Sequence, residues 1–109
     1  MLQEILDLGF ERVELGHGIR LSLMEGIQRR FNKGGFTISS PHNFCPLPLE
    51  ITRAAPDCYQ FSSADSRERD RAIKHTFQTI DFAQRFGARF VVLHLGSAPI
   101  DRYTDKLVH

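Results

Sequence analysis

The chain has 109 residues, 41% of them hydrophobic and 25% charged, which is typical of one globular domain. Its 14 basic and 13 acidic residues nearly cancel, so charge gives no reason to expect binding to nucleic acid or to a membrane surface. No apolar run approaches the roughly 20 residues of a membrane-spanning helix, and the N-terminus lacks the basic start of a signal peptide, so we expect a cytoplasmic protein.

Three times along the chain, a helical segment is followed by glycine and then by a short apolar strand. The helices are predicted at about residues 2–8, 21–32 and 66–86, and the strands at 13–15, 36–40 and 90–95. Glycine after a helix favours the left-handed backbone conformation that ends it. Helices that alternate with buried strands are typical of a parallel α/β fold.

The third helix has the clearest pattern of apolar residues. A stripe at helical spacing is predicted to face the core, and it comprises Ile73, Phe77, Ile80, Ala83 and Phe86. Asp65, followed three residues later by Glu68, resembles a capping box and predicts the start of this helix. His75 lies in its charged first half and is predicted to lie on the surface.

Polar residues lie near the ends of the three predicted strands. Side chains alternate between the two faces of a sheet, so Glu14 points away from its apolar neighbours in the first strand. By the same rule Ile38, Ser40 and His42 share one face in the second strand, and His94 lies near the end of the third. We therefore predict a polar cluster at the C-terminal ends of the strands.

Residues 43–64 form the longest connection of the chain. Such long irregular loops are uncommon unless they are functional or disordered. Phe44, Tyr59 and Phe61 provide apolar anchors within it. Two interpretations stay open: a lid or pocket wall over the strand ends, or a packed surface loop without contact to a ligand.

Four stretches, "LGFERVELG", "ISSPHNFCP", "FAQRFGA" and "FVVLHLG", together resemble the xylose isomerase-like TIM barrel superfamily. That superfamily contains sugar (phosphate) isomerases and epimerases, and also abasic-site nucleases of the endonuclease IV type. The resemblance implies that residues 1–109 form one partial domain, with strands 2–4 of a (β/α)8 barrel. Since a complete barrel takes roughly 250 residues, we expect the chain to be the N-terminal part of a larger parent barrel.

The resemblance also implies roles for the residues at the strand ends. In such a barrel they would lie at the C-terminal mouth, where the active site is built. His94 and His42 are then expected to be catalytic, and Glu14, Ser40 and His17 to contact the substrate. The alternatives are structural: a chemically idle histidine, a turn residue or a carboxylate paired with a base.

A metal is expected in the parent barrel but not in this chain. Relatives place their divalent-metal ligands on strands 5–8, so the resemblance implies Mn, Mg, Co or Zn there and no tightly bound ion here. Cys45 and Cys58 with His42 and His94 offer the ligand types of a zinc site. The 12 residues between the cysteines are, however, unlike the short spacing of such sites, which favours two free thiols.

The function implied by the resemblance is that of a sugar (phosphate) isomerase or epimerase fragment. The parent would perform metal-assisted proton transfer next to a carbonyl on a sugar or ketose, while the isolated chain would be inactive. The alternatives are a fragment of an endonuclease IV-like zinc nuclease and a non-enzymatic, self-associating α/β fragment. Because three strands leave both sheet edges open, we expect a homo-oligomer or association with the missing part of the barrel.

Overall fold

The structure, a computed structural model, describes residues 2–96 and shows helices alternating with parallel strands. The elements in chain order are α1 (Leu2–Asp7), β1 (Arg12–Leu15), α2 (Leu21–Asn32), β2 (Thr37–Pro41) and α3 (Ser66–Arg85). The predicted α/β class is thereby confirmed, and the predicted end of the domain at His109 lies outside the described residues.

The three helices begin and end close to the predicted residues. Gly9 and Gly87, which follow α1 and α3, have φ angles of 95° and 68°, where a side chain would be strained. At the start of α3 the Asp65 carboxylate accepts a hydrogen bond of 2.9 Å from the Arg67 backbone N–H, which confirms Asp65 as the cap. The other half of the predicted capping box is not formed, because the Asp65 N–H donates to Ser63 Oγ (3.1 Å) and not to Glu68. Among the described helices, none is both long and apolar enough to cross a membrane.

Within residues 2–96 the sheet has two parallel strands, β1 and β2, which are adjacent in space as in sequence. The predicted third strand at 90–95 was wrong in extent, because the described residues there contribute only one bridge, at Val92. The Asn43 N–H donates to the Val92 carbonyl (2.8 Å), and the Val92 N–H donates to the Pro41 carbonyl (3.0 Å). Since β2 ends at Pro41 and an irregular loop follows, the ladder does not extend beyond this point.

Two apolar clusters hold these elements together. The larger one lies between the strands, α2 and the end of α3, and its buried members are Leu15, Met24, Phe36, Ile38, Cys45 and Phe86. Phe31 packs edge-on against two of these rings, with centroid distances of 5.8 and 5.4 Å. The smaller cluster joins the loop to α3 through Phe44, Tyr59 and Ala72. The loop anchors predicted at Phe44 and Tyr59 are thus confirmed.

The predicted apolar stripe on α3 is wrong for its first three members. Ile73, Phe77 and Ile80 are 46%, 63% and 44% exposed. The helix instead buries small side chains, namely Ala72, Thr79 and Ala83. These residues allow the loop after β2 to approach closely, and this contact orients the helix.

Two threonine hydroxyls on α3 bind the beginning of that loop. The Asn43 amide donates to Thr76 Oγ1 (2.8 Å), and the Cys45 backbone N–H donates to Thr79 Oγ1 (3.0 Å). Each hydroxyl also donates to the carbonyl four residues earlier in the helix, so both threonines are satisfied in the interior. The first residues of the loop are therefore fixed, not mobile, at the strand ends.

Candidate active site

Glu14, Ser40 and His42 meet at the C-terminal ends of β1 and β2. The Ser40 hydroxyl donates to Glu14 Oε1 (3.0 Å), and His42 Nε2 lies 3.5 Å from Glu14 Oε2. The His42 backbone N–H donates to the Leu15 carbonyl (2.7 Å), which continues the parallel pairing by one residue. The backbone therefore fixes His42 beside the carboxylate.

A β-bulge determines which residues of β2 reach this cluster. Val13 pairs with Ile38, but the next residue, Glu14, pairs with Ser40, so Ser39 is an extra residue on β2. Ile38 packs in the apolar core, whereas Ser40 binds Glu14. The predicted shared face of Ile38, Ser40 and His42 was therefore wrong for Ile38, because the extra residue breaks the alternation.

Two further histidines lie next to this cluster. The ring centroid of His17 is 6.4 Å from that of His42 and 6.3 Å from that of His94. His17 Nδ1 is buried and has no hydrogen-bond partner among the described residues. A buried nitrogen without a hydrogen-bond partner lowers the stability of the fold by about 1–3 kcal/mol. The space next to His17 Nδ1 is therefore suited to a water molecule or a ligand hydroxyl that would bond to it.

The structure thus brings all five predicted site residues together. The hydrogen-bonded pair of Ser40 and Glu14, with the His42 ring beside the carboxylate, forms the centre, and His17 lies between His42 and His94. The side chains of Glu14 and His42 are 59% and 28% exposed, and His94 is exposed, so a ligand has access to them. Their catalytic and substrate-binding roles stay predictions.

The cluster does not form a metal site by itself. Within residues 2–96, no group of three or more histidine, cysteine or carboxylate side chains is arranged to hold a metal ion. Cys45 and Cys58 are free, and burial raises the pKa of the Cys45 thiol to about 12. Because the thiolate is the form that binds zinc, a buried protonated thiol is a poor ligand.

A second polar cluster, which sequence reasoning missed, fixes the middle of the loop to α3. Glu50 Oε1 accepts hydrogen bonds from the Tyr59 hydroxyl and from Arg71 (3.0 Å), and it lies 3.7 Å from His75 Nε2. The Tyr59 and His75 rings are stacked, with centroids 5.6 Å apart. The prediction that His75 lies on the surface was wrong, because its ring packs between Tyr59 and Phe44. Arg71 and His75 are four residues apart and therefore lie on the same face of α3. This spacing was the signal in the sequence for a partner that both side chains could share.

This second cluster makes stability depend on pH on the acid side. The Tyr59 hydrogen bond holds the pKa of the Glu50 carboxyl below its ordinary value of 4.5, with smaller contributions from His75 and Arg71. A lowered pKa in the folded state means that ionised Glu50 stabilises the fold above about pH 4.5. That contribution is lost as the pH falls through the lowered pKa.

We therefore expect Glu50→Gln to lower the melting temperature at neutral pH and to reduce its dependence on pH below about 5. The measurement is thermal unfolding followed by circular dichroism from neutral to acid pH. Glu25→Gln is the matched control, since Glu25 is exposed on α2 and has no hydrogen bond or ion pair with a described residue. Equal acid-side slopes in the two variants would contradict the role assigned to Glu50.

Comparison with known proteins agrees with the geometry. Residues 2–108 match the family model described as xylose isomerase-like TIM barrel, and the chain therefore belongs to this family. Neither the curated proteins nor the solved structures give a significant match to the chain. In TIM barrels the active site lies at the C-terminal ends of the parallel strands, which is where the five-residue cluster lies.

Proposed function

We propose that this chain supplies the substrate-side part of the active site of a sugar or sugar phosphate isomerase or epimerase. The observation that carries the proposal is the contact of Glu14 with Ser40 and His42 at the C-terminal ends of two adjacent parallel strands. Within the proposal, β1, β2 and the Val92 segment correspond to barrel strands 2, 3 and 4. The family membership supports a site at this face of the sheet.

The polar groups of the cluster suit proton transfer next to a carbonyl. Such a step needs a base near the carbon-bound proton and donors near the oxygen on which negative charge develops. When His42 Nε2–H points at the Glu14 carboxylate, the other ring nitrogen of a neutral imidazole is left as the acceptor. The Ser40 hydroxyl and the His17 ring then hold substrate hydroxyls. We assign proton transfer to His42 and His94 and substrate binding to Glu14, Ser40 and His17.

The remaining parts of the enzyme belong to other barrel strands in this proposal. The described residues do not fit a divalent-metal site, so an Mn, Mg, Co or Zn ion would be held elsewhere in the parent barrel. The partner is the rest of that barrel or a second copy of the chain. The exposed side chains of Ile73, Phe77 and Ile80 on α3 support such a partner, since apolar surface of this kind is usually covered.

A zinc nuclease of the endonuclease IV type is the second candidate. Three imidazoles lie with neighbouring ring centroids 6.4 and 6.3 Å apart, and imidazole is a common zinc ligand. The net charge of +1 favours the isomerase, because enzymes that bind DNA usually carry a basic surface. The two candidates differ in both substrate and metal retention.

Isotope exchange distinguishes the candidates. We expect the chain, assembled with the remaining barrel strands and a divalent ion, to incorporate deuterium from D2O next to the carbonyl of a ketose, as measured by NMR. The same preparation should leave an abasic-site oligonucleotide intact. The chain alone should bind Mn2+ or Zn2+ only weakly in calorimetric titrations. Cleavage of the oligonucleotide, together with stoichiometric zinc that survives dialysis, would favour the nuclease and contradict the isomerase.

A further inference from the structure

A cavity of about 530 Å3 lies between the loop after β2 and the segment that follows Val92. Its lining comprises Pro56, Asp57 and Gln60 from the loop and residues 93–96 from the segment. The volume lies within the range of about 300–1,000 Å3 that is usual for small-molecule sites. The cavity adjoins the five-residue cluster through His94, whose ring is 6.3 Å from that of His17.

The wall of this cavity is held in place from two sides. Gly96 has a φ of 110°, and a Cβ atom added there would collide with Ser62 Oγ, so the loop is packed directly against the segment. On the other side, Tyr59 is buried against Phe44 and bonded to Glu50. Asp57 and Gln60 lie in the sequence on either side of this anchored residue. Their position beside His94 is therefore set by the fold.

The described residues that line the cavity contribute formal charge of one sign. Asp57 is the charged residue in its described lining, and no described lysine or arginine lines it. The Asp57 carboxylate is exposed and makes no hydrogen bond or ion pair with another described residue. Glu14 adds a second carboxylate in the adjoining cluster. The carboxylates can accept hydrogen bonds from hydroxyl groups, whereas they repel a phosphate ester, which carries about two negative charges.

We propose that Asp57 determines specificity by selecting an uncharged polyhydroxylated carbonyl compound over the phosphate ester of the same compound. This inference rests on the proposed function and narrows its substrate class. Asp57 accepts hydrogen bonds from hydroxyl groups at the end of the ligand that lies in the cavity. His94, at the boundary between the cavity and the cluster, provides a donor and an acceptor for the next hydroxyl.

The test compares D-fructose with D-fructose 6-phosphate as ligands of the complete chain. NMR titrations of 15N-labelled protein follow the amide signals of Asp57 and His94. We expect the unmodified chain to bind fructose about five- to tenfold more tightly than the phosphate ester at low salt. The preference should shrink when ionic strength rises from about 20 to about 500 mM, because exposed charges are screened.

Two charge variants and one control complete the test. Asp57→Asn should bring the ratio of the two dissociation constants close to one, and Asp57→Lys should invert it. Asp81→Asn removes the same charge from the exposed face of α3 and should leave the ratio unchanged. Equal binding of the two sugars, or an unchanged ratio in Asp57→Asn, would overturn the role of Asp57 while the proposed function stands. If neither sugar shifts these signals, the inference fails, while the proposed function is decided separately by isotope exchange in the assembled barrel.

Discussion

Replacing His94 by glutamine is expected to lower kcat/KM of the assembled enzyme by about 10- to 1000-fold, the range of a lost acid–base or orienting group. Glutamine keeps a donor and an acceptor but has no ring that titrates. His94 is exposed and packs little apolar surface, so the melting temperature of the chain should change little. The measurements are ketose turnover in the assembled barrel and thermal unfolding of the same protein.

Two other histidine variants provide the comparison. His42→Gln should lower kcat/KM in the same direction but less severely. His75→Gln should show the opposite pattern, because its half-buried ring stacks on Tyr59 and its loss weakens the loop anchor. We expect that variant to lower the melting temperature and to leave kcat/KM nearly unchanged. A His94→Gln enzyme with normal kinetics and a clearly lowered melting temperature would make His94 a structural residue.

The largest loss of stability is expected at Phe44. Its side chain is 1% exposed and lies in the cluster that joins the loop to α3, in edge contact with Tyr59 at a centroid distance of 6.1 Å. Phe44→Ala should lower the free energy of unfolding by about 3–5 kcal/mol, because it removes buried apolar surface and leaves a cavity. Urea unfolding, followed by circular dichroism and by tyrosine fluorescence, measures the change.

Phe77→Ala is the matched control for that loss. Phe77 has the same side chain on the exposed face of α3, where 63% of it is accessible. Its removal should change the free energy of unfolding of the dilute chain by no more than about 0.5 kcal/mol. A similar loss in both variants would mean that Phe77 is covered by a partner in solution. A small loss at Phe44 would contradict the packing of the loop on the helix.

The helices could be predicted from the sequence because their signals are local. Glycines with left-handed backbone end them, and the carboxylate of Asp65 caps α3. The third strand could not be predicted in the same way, because a strand exists only where a neighbour offers backbone partners. Val92 has such a partner in β2, and the residues after it have none among the described residues.

The buried face of α3 was harder to predict than the helix itself. Apolar periodicity selects large residues such as Phe77, but the element that packs on α3 is a loop that begins at Asn43 and binds Thr76. A loop brings polar backbone groups, so the matching helix face needs hydroxyls and small side chains such as Ala72. The sequence of the helix alone does not indicate which element of the fold packs against it.

The sequence predicted which residues form the candidate site, but it predicted only part of their arrangement. The strand ends indicated Glu14, Ser40 and His42, and the structure places them in contact. The central position of His17 was not predictable, because it depends on how a glycine-flanked loop returns over the strands. The Glu50–Tyr59 contact depends on the path of the long loop, which no periodic pattern describes.

The extra residue in β2 has a consequence for how such sites are recognised. Removing Ser39 would leave every candidate residue in the chain and would restore regular pairing between β1 and β2. Ile38 and Ser40 would then be neighbours on opposite faces of the strand, still paired with Val13 and Glu14, so the polar cluster would keep its members. Alternation counted along the shortened strand would place both residues on the correct faces, whereas the same count along the natural strand places Ile38 and Ser40 on one face. In this chain, the face of a strand residue follows from its partner in the neighbouring strand and not from its position in the sequence alone.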